Sequence, residues 1–387
     1  MTIAISPSND AGNPTPTNLT RWYIDTRPLT ATNDPANLPL LATLQPEDQT
    51  AILRYYHLKD KHMSLASNLL KYLFIHRSCR IPWDKITLSR TAAPHRRPCF
   101  IPSPALLAEY GSSNNKKKIL PSVEFNVSHQ ASLVALAGTT LPLSNPNPNP
   151  NPNPKATATA TTDNNNNNNN NPRETIPQVG IDITCTNERQ PSARNAAQDD
   201  DPVRTFNDYV DIFAEVFSPD EIAAIKNLHL RHTSSVVNEA AGGGGAAAAA
   251  ASREIEYRYR GFYAYWALKE AYIKMTGEAL LAPWLRQLEF AEVVPPEPLL
   301  QDQGPGQARV GEPFTGVRTT LNKKPVEDVR LEIVAFETNY LIATAARGAG
   351  IGARSDTGAQ DTWEPLREID IERDIQPCAE GRCRCLD

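Results

Sequence analysis

The stretch GFYAYWALKEAYIKMTG (residues 261–277) decides how this chain is read. Apolar and aromatic residues recur at helical spacing, with Phe262, Tyr265, Trp266, Tyr272 and Ile273 on one side and Gly277 placed as a stop. A helix here has an apolar side to bury and a polar stripe to present. Glu270 and Lys274 share that stripe, because residues four apart lie above one another on a helix. Taken alone they are a surface ion pair worth about a few tenths of a kcal/mol.

Working outward, VGIDI (179–183) is an apolar strand with Asp182 near its end. A carboxylate there is either a turn-former or a group aimed into a cleft. Carboxylates from a strand end and a helix are a usual way to hold Mg²⁺, which keeps most of its waters and takes the rest of its shell from phosphate oxygens. Further upstream, 123–127 and 132–137 read as short strands around Ser128-His129. Adjacent residues of a strand point to opposite faces, so Ser128 and His129 are not a nucleophile and its base. Both suit hydrogen bonding to phosphate. Neither G-x-x-x-x-G-K-[ST] nor G-x-G-x-x-G occurs, which argues against P-loop and Rossmann nucleotide binding.

The rest of the chain supplies the frame. RWYIDTR (21–27) alternates as a strand, and residues 46–75 carry one or two helices, the second starting near Asp60. Residues 94–108 are rich in proline and read as a loop with extended pieces. Asn-Pro pairs at 145–154 and asparagines at 164–171 cannot bury apolar surface, so 141–176 is expected to be a disordered insert, as is 1–17. Because loop closure costs entropy only logarithmically, the insert suits a hairpin tip, with LVALAG (133–138) and VGIDI paired directly. Residues 205–228 read as helix, break, helix, with Ser218 and Glu221 as a capping box and Pro219 at the first helical position. A second flexible insert covers about 231–253, and 328–336 and 340–346 form a closing strand pair. Each half thus has a helical region followed by strand pairs. The expected class is α+β, with one lobe over 18–140, a second over 177–346, a cleft between them, and a tail of uncertain order at 347–387.

Composition narrows the function. The net charge of −5, from 39 basic and 44 acidic residues, gives no support to nucleic-acid binding. No window approaches the ~20 apolar residues of a membrane span, and the N-terminus has no signal-peptide pattern. Of the six cysteines, Cys79, Cys99 and Cys185 are scattered, which suits reduced thiols in the cytoplasm better than a disulfide framework. Cys378, Cys383 and Cys385 cluster in the tail, but their spacing is not a standard zinc pattern and no histidine lies nearby in sequence.

Phe125-Asn126-Val127-Ser128-His129, Gly180-Ile181-Asp182 and Trp266…Lys269-Glu270…Lys274, in that order, resemble the surfactin-type 4′-phosphopantetheinyl transferases. YYHLKDKH (55–62), RRPCFIP (96–102) and FSPDEI (217–222) add secondary matches, and the asparagine inserts look like those of a filamentous-fungal member. The resemblance implies a pseudo-dimer of two similar lobes with coenzyme A between them. It implies transfer of phosphopantetheine from coenzyme A to a serine of apo acyl or peptidyl carrier domains, with release of 3′,5′-adenosine diphosphate; aminoadipate reductase is a further candidate partner. It assigns Mg²⁺ to Asp182 and Glu270, and proton removal to Glu270 or to a water on the ion. Lys274 falls near the diphosphate, with Lys269 beside it; Ser128 and His129 fall at the nucleotide phosphates and Arg97 at the adenine and 3′-phosphate end. Glu221 matches a further acidic residue near the site. Two positions depart from bacterial members. Thr184 stands where a glutamate often supplies a third metal ligand, leaving that place to water or to Glu221. Met63 stands where an arginine grips the 3′-phosphate, leaving that task to Lys61 or His62. The expected protein is a monomer without membrane or nucleic-acid partners. The competing reading is a non-catalytic module that binds coenzyme A or a carrier protein on the same fold.

Overall fold

The computed structural model describes residues 18–92, 96–111, 120–141, 176–187, 201–230, 244–278, 282–299, 309–352 and 363–386. The first 17 residues, almost all of the asparagine-rich insert, and residues 231–243 of the second insert lie outside them.

The first half opens with strand β1 (Leu19–Asp25) and the short helix α1 (Arg27–Ala31). Helices α2 (Pro46–Leu53) and α3 (Leu58–Cys79) follow, as the apolar spacing of 46–75 requires. Strands β2 (Leu88–Arg90) and β3 (Pro98–Phe100) form a small hairpin. The stretch read as loop also contains α4 (Pro104–Gly111), which opens on a proline, a residue whose fixed φ suits a first helical turn. Strands β4 (Ser122–Gln130) and β5 (Leu133–Leu141) complete a sheet with β1, β5 lying between β1 and β4.

The second half starts with β6 (Gln178–Cys185). Helices α5 (Pro202–Asp211) and α6 (Pro219–Lys226) follow, and the Ser218–Glu221 capping box is formed in both directions. Helix α7 (Gly244–Thr276) contains the 261–277 stretch but begins 17 residues before it (261 − 244), so the alanine-rich end of the second insert is helical. Gly277 ends it with φ +82, and the Glu278 N–H returns to the Ile273 carbonyl, a left-handed cap that only glycine adopts without strain. Strands β7 (Leu288–Ala291), β8 (Arg318–Leu321) and β9 (Lys324–Pro325) make a small sheet. The closing pair is β10 (Val329–Phe336) and β11 (Tyr340–Arg347).

LVALAG and VGIDI do not pair. Both edges of β5 are taken, by β1 and β4, and β6 pairs antiparallel with β11, Asp182 opposite Ala343. The strands on either side of the insert therefore belong to different sheets. Pairing rested on adjacency in sequence, but β6 is buried on both faces, with Val179, Ile181 and Ile183 turned to the first sheet and Gly180 pressed against α7, and so takes its partner inside the second sheet. The free edge of β6 meets β4 instead. Asn126 Oδ1, Ser128 Oγ and Gln130 Oε1 accept hydrogen bonds from the N–H groups of Ile181, Ile183 and Cys185, at 3.1, 3.2 and 2.9 Å. Both series step by two, so side chains on one face of β4 do the work of a neighbouring strand.

Alternation along the strands then builds the layers. Trp22, Ile24, Val134 and Leu136 pack against α3, while Tyr23, Leu133, Ala135 and Ala137 meet Val179, Ile181, Ile183, Phe336 and Ile342 of the second sheet. Leu331, Ile333, Leu341 and Ala343 face α7. Residues 363–386 of the tail belong to the first half. Strand β12 (Arg367–Glu368) lies parallel to β1; Ile369 after it, Ile371 and Ile375 in a turn of π-helix, and Cys378 in the short helix α8 (Gln376–Ala379) join the α3 core.

Candidate active site

Gly180 explains how the helix reaches the strand. A Cβ at that position would stand 2.0 Å from the Ala271 carbonyl oxygen and 2.4 Å from the Met275 nitrogen, so α7 lies directly on the backbone of β6. Asp182, two residues on, points to the same face and meets the helix stripe that carries Glu270 and Lys274. Lys274 Nζ donates to Asp182 Oδ1 at 2.6 Å and to Ser128 Oγ at 2.9 Å. Ser128 donates to Asp182 Oδ1 at 3.2 Å, and Thr184 donates to Asp182 Oδ2 at 2.8 Å. Asp182 is buried, whereas Lys274 and Glu270 are half-buried.

Glu270 has no hydrogen-bond donor among the described residues. Burial first, and the charge of Asp182 second, push its carboxyl up to about 7, with Lys274 opposing. A carboxyl raised by burial and by the charge of a second carboxylate beside it favours a cation between the two. The Lys274 ammonium on Asp182 marks where positive charge is already stabilised. The donor set therefore fits a hard divalent cation such as Mg²⁺ that completes its shell with phosphate oxygens and water.

His129 projects the other way, as strand alternation requires, into a cavity of about 540 Å³ in the first half. Ser64, Ser67, Asn68 and Lys71 line it from α3, with Arg54 and Arg90 at its walls. Desolvation, then the charges of Lys274 and Lys71, hold the His129 imidazole pKa below its usual value. Burial brings Lys71 down to about 8, so it is mainly cationic at neutral pH. Arg97 is held by Glu124 at 2.9 Å, and its guanidinium lies against Gly277 at the end of α7.

Two family models cover most of the described chain. A 4′-phosphopantetheinyl transferase N-terminal model matches residues 34–141, and a 4′-phosphopantetheinyl transferase superfamily model matches 178–315. The chain is 54% identical over 378 residues to 4′-phosphopantetheinyl transferase A of Aspergillus fumigatus, covering 95% of this chain and 96% of that one. It is 52% identical over 377 residues to 4′-phosphopantetheinyl transferase NpgA of Emericella nidulans, with 95% and 96% covered. A 4′-phosphopantetheinyl transferase of Aureobasidium melanogenum is 32% identical over 382 residues, with 92% and 96% covered. The chain belongs to the 4′-phosphopantetheinyl transferases.

Within that family frame, several sequence expectations need correcting. Lys269 does not face a ligand. It is fully buried, and its ammonium donates to the Leu285 and Leu288 carbonyls and pairs with Glu221 at 2.9 Å. Helix periodicity separates it from Glu270 by about 100°. Glu221 is equally unavailable as a metal ligand. Its oxygens accept from the N–H groups of Ser218 and Phe290, each at 2.9 Å, and from Lys269. Burial pushes its carboxyl up, and these three donors oppose the shift.

Ser128 also has no capacity left for phosphate. Its one proton goes to Asp182, and its oxygen accepts from Lys274 and the Ile183 N–H. His62 is buried, with Nδ1 at 3.0 Å from Thr30 Oγ1 and Nε2 at 2.9 Å from the Asn37 carbonyl, so it does not replace a phosphate arginine. The buried Met63 sulfur accepts from the Ser132 N–H. The cationic wall that sequence reasoning missed is Arg54, Lys71 and Arg90. Its signal was present: positions 64, 67, 68 and 71 form a polar stripe at helical spacing through an otherwise apolar helix.

Proposed function

We propose that this protein transfers the 4′-phosphopantetheine group of coenzyme A to a serine of apo acyl or peptidyl carrier domains. The observation that carries the reading is the meeting of Asp182, Glu270 and Lys274 across the β6–α7 contact, next to a cationic cavity walled by Arg54, Lys71, Arg90 and His129. The 3′-phosphoadenosine end suits that cavity, whose cations match a polyanion. We read the two halves as a pseudo-dimer, supported by α3 over β1–β5–β4 and α7 over β6–β11–β10, with the substrate cleft between them.

In this mechanism Lys274 and His129 orient the diphosphate of coenzyme A. Asp182 and Glu270 would hold Mg²⁺, which when bound offsets charge on the phosphoryl oxygens and the leaving group. Ser128 and Thr184 fix both oxygens of Asp182, and so its direction. The carrier serine oxygen forms the new P–O bond at the β-phosphorus, and the bond to the bridging oxygen breaks. 3′,5′-Adenosine diphosphate leaves with the electron pair. The serine proton passes to the Glu270 carboxylate, whose affinity for a proton is already raised towards 7.

No helix among the described residues is long and apolar enough to cross a membrane. We place the enzyme in the cytoplasm as a monomer, supported by the absence of disulfides among the described residues and by one chain supplying both walls of the cleft. Aminoadipate reductase remains among the candidate partners on the family resemblance. The test is mass spectrometry of a panel of apo carriers incubated with the protein, coenzyme A and Mg²⁺. Addition of one phosphopantetheine to a single serine is expected; a fully unmodified panel, with coenzyme A still bound, leaves the non-catalytic binding module instead.

A further inference from the structure

The tail cysteines lack a histidine nearby in sequence, but the fold supplies one. His76, in the last turn of α3, points its Nε2 at Cys383 Sγ, 3.1 Å away across 307 residues of chain. Cys378 Sγ and Cys385 Sγ are 3.8 Å apart, and the four candidate ligand atoms all lie within 4.8 Å of one another. A tetrahedron with zinc–sulfur bonds of about 2.3 Å has edges of about 3.8 Å, so the four atoms are already near the vertices of such a shell. No pair is bonded as a disulfide.

The imidazole is prepared for the same task. Its Nδ1 lies 2.7 Å from the Ile81 carbonyl oxygen, which can only accept, so Nδ1 carries the proton and Nε2 presents its lone pair to the sulfurs. A backbone carbonyl fixing the far nitrogen is how metal-bound histidines are usually oriented. His76 and Cys378 are buried and Cys383 and Cys385 are half-buried, so the cluster is set into the core yet reachable from solvent.

We propose that His76, Cys378, Cys383 and Cys385 form a structural Zn²⁺ site that pins the C-terminal tail to α3. Three thiolates and an imidazole are soft donors suited to zinc, not to the Mg²⁺ of the carboxylate site. Four protein ligands leave no open position, so the ion is structural. It closes the segment that places β12 beside β1 and delivers Ile369, Ile371 and Ile375 to the core.

The test uses the full-length protein purified without chelator. Elemental analysis should find about one zinc per chain, and cobalt exchange should give the thiolate charge-transfer and d–d bands of a tetrahedral centre. Cys378, Cys383 and Cys385 should resist alkylation until a zinc chelator is added. C383S and C385S should each lower zinc content at least tenfold, while C99S retains it. Because the wild-type measurements do not depend on any variant folding, they decide the matter alone. Metal-free protein with all three thiols freely alkylated, or a Cys378–Cys385 disulfide in protein handled without reductant, overturns the proposal.

Discussion

At Glu270 the half-buried setting and the charge of Asp182 act in the same direction, and both favour a protonated carboxyl. The carboxylate is the form that binds a cation and accepts the serine proton. Transfer and Mg²⁺ affinity should therefore fall as pH drops below about 7. Glu270→Gln should lower the transfer rate by roughly 10²- to 10⁴-fold, the range of a lost general base. Stability moves the opposite way. A carboxyl raised in the folded state contributes stability below its unfolded value of 4.5 and loses it as pH rises through about 7. Without divalent cation, Glu270→Gln should thus melt higher than wild type at about pH 8, with the difference vanishing near about pH 5. Melting curves and initial rates check both; a pH-independent difference in melting removes the assigned cause.

Helix α7 shows why neighbouring residues have unrelated roles. Glu270 and Lys274 face β6 and the cleft, while Lys269 turns into the joint between α7, α6 and β7, where Glu221 meets it. The two charges are compensated by each other and by backbone groups, with the Phe217 and Phe290 rings facing the Lys269 ammonium. Removing one leaves the other buried and unpaired, which costs about 3–5 kcal/mol. Lys269→Met should lower urea stability by that amount, and the folded fraction should keep the wild-type KM for coenzyme A. A selective rise in KM with unchanged stability would return Lys269 to the ligand. The polar edge of β4 makes the same point: Asn126, Ser128 and Gln130 read as ordinary alternation until the outer-edge N–H groups of β6 are seen donating to them.

The two sheets are joined by buried charge as well as apolar packing. Arg21 of β1 pairs with Glu332 of β10 at 2.6 Å, Arg330 meets the other oxygen of Glu332, and both arginines lie over the Trp363 ring. With Glu332 only 2% exposed, its replacement leaves two cations without a counter-charge between the halves. Glu332→Gln should cost about 3–5 kcal/mol, measurable by equilibrium unfolding. The loss should spread to Arg27, Arg309 and Glu337, which also tie β1 to the second half. Hydrogen exchange that rises across the sheet–sheet interface is expected; slowed exchange confined to α3 contradicts this linkage.

Much of this protein was legible in its sequence because periodicity and local chemistry act over a few residues. Helix α3, the 261–276 part of α7, the β10–β11 pair, the Ser218 capping box and the Gly277 stop follow from spacing alone, and Gly180-x-Asp182 follows from strand alternation. Which strand β6 would join, where Glu221 and Lys269 would turn, and which cations would wall the cavity depended on elements far apart in the chain. The tail shows this most directly. Three cysteines without a local histidine say nothing decisive about a metal, whereas α3 carries His76 to them. Local sequence sets which side chains share a face of an element, but only the packing of elements decides what each face meets.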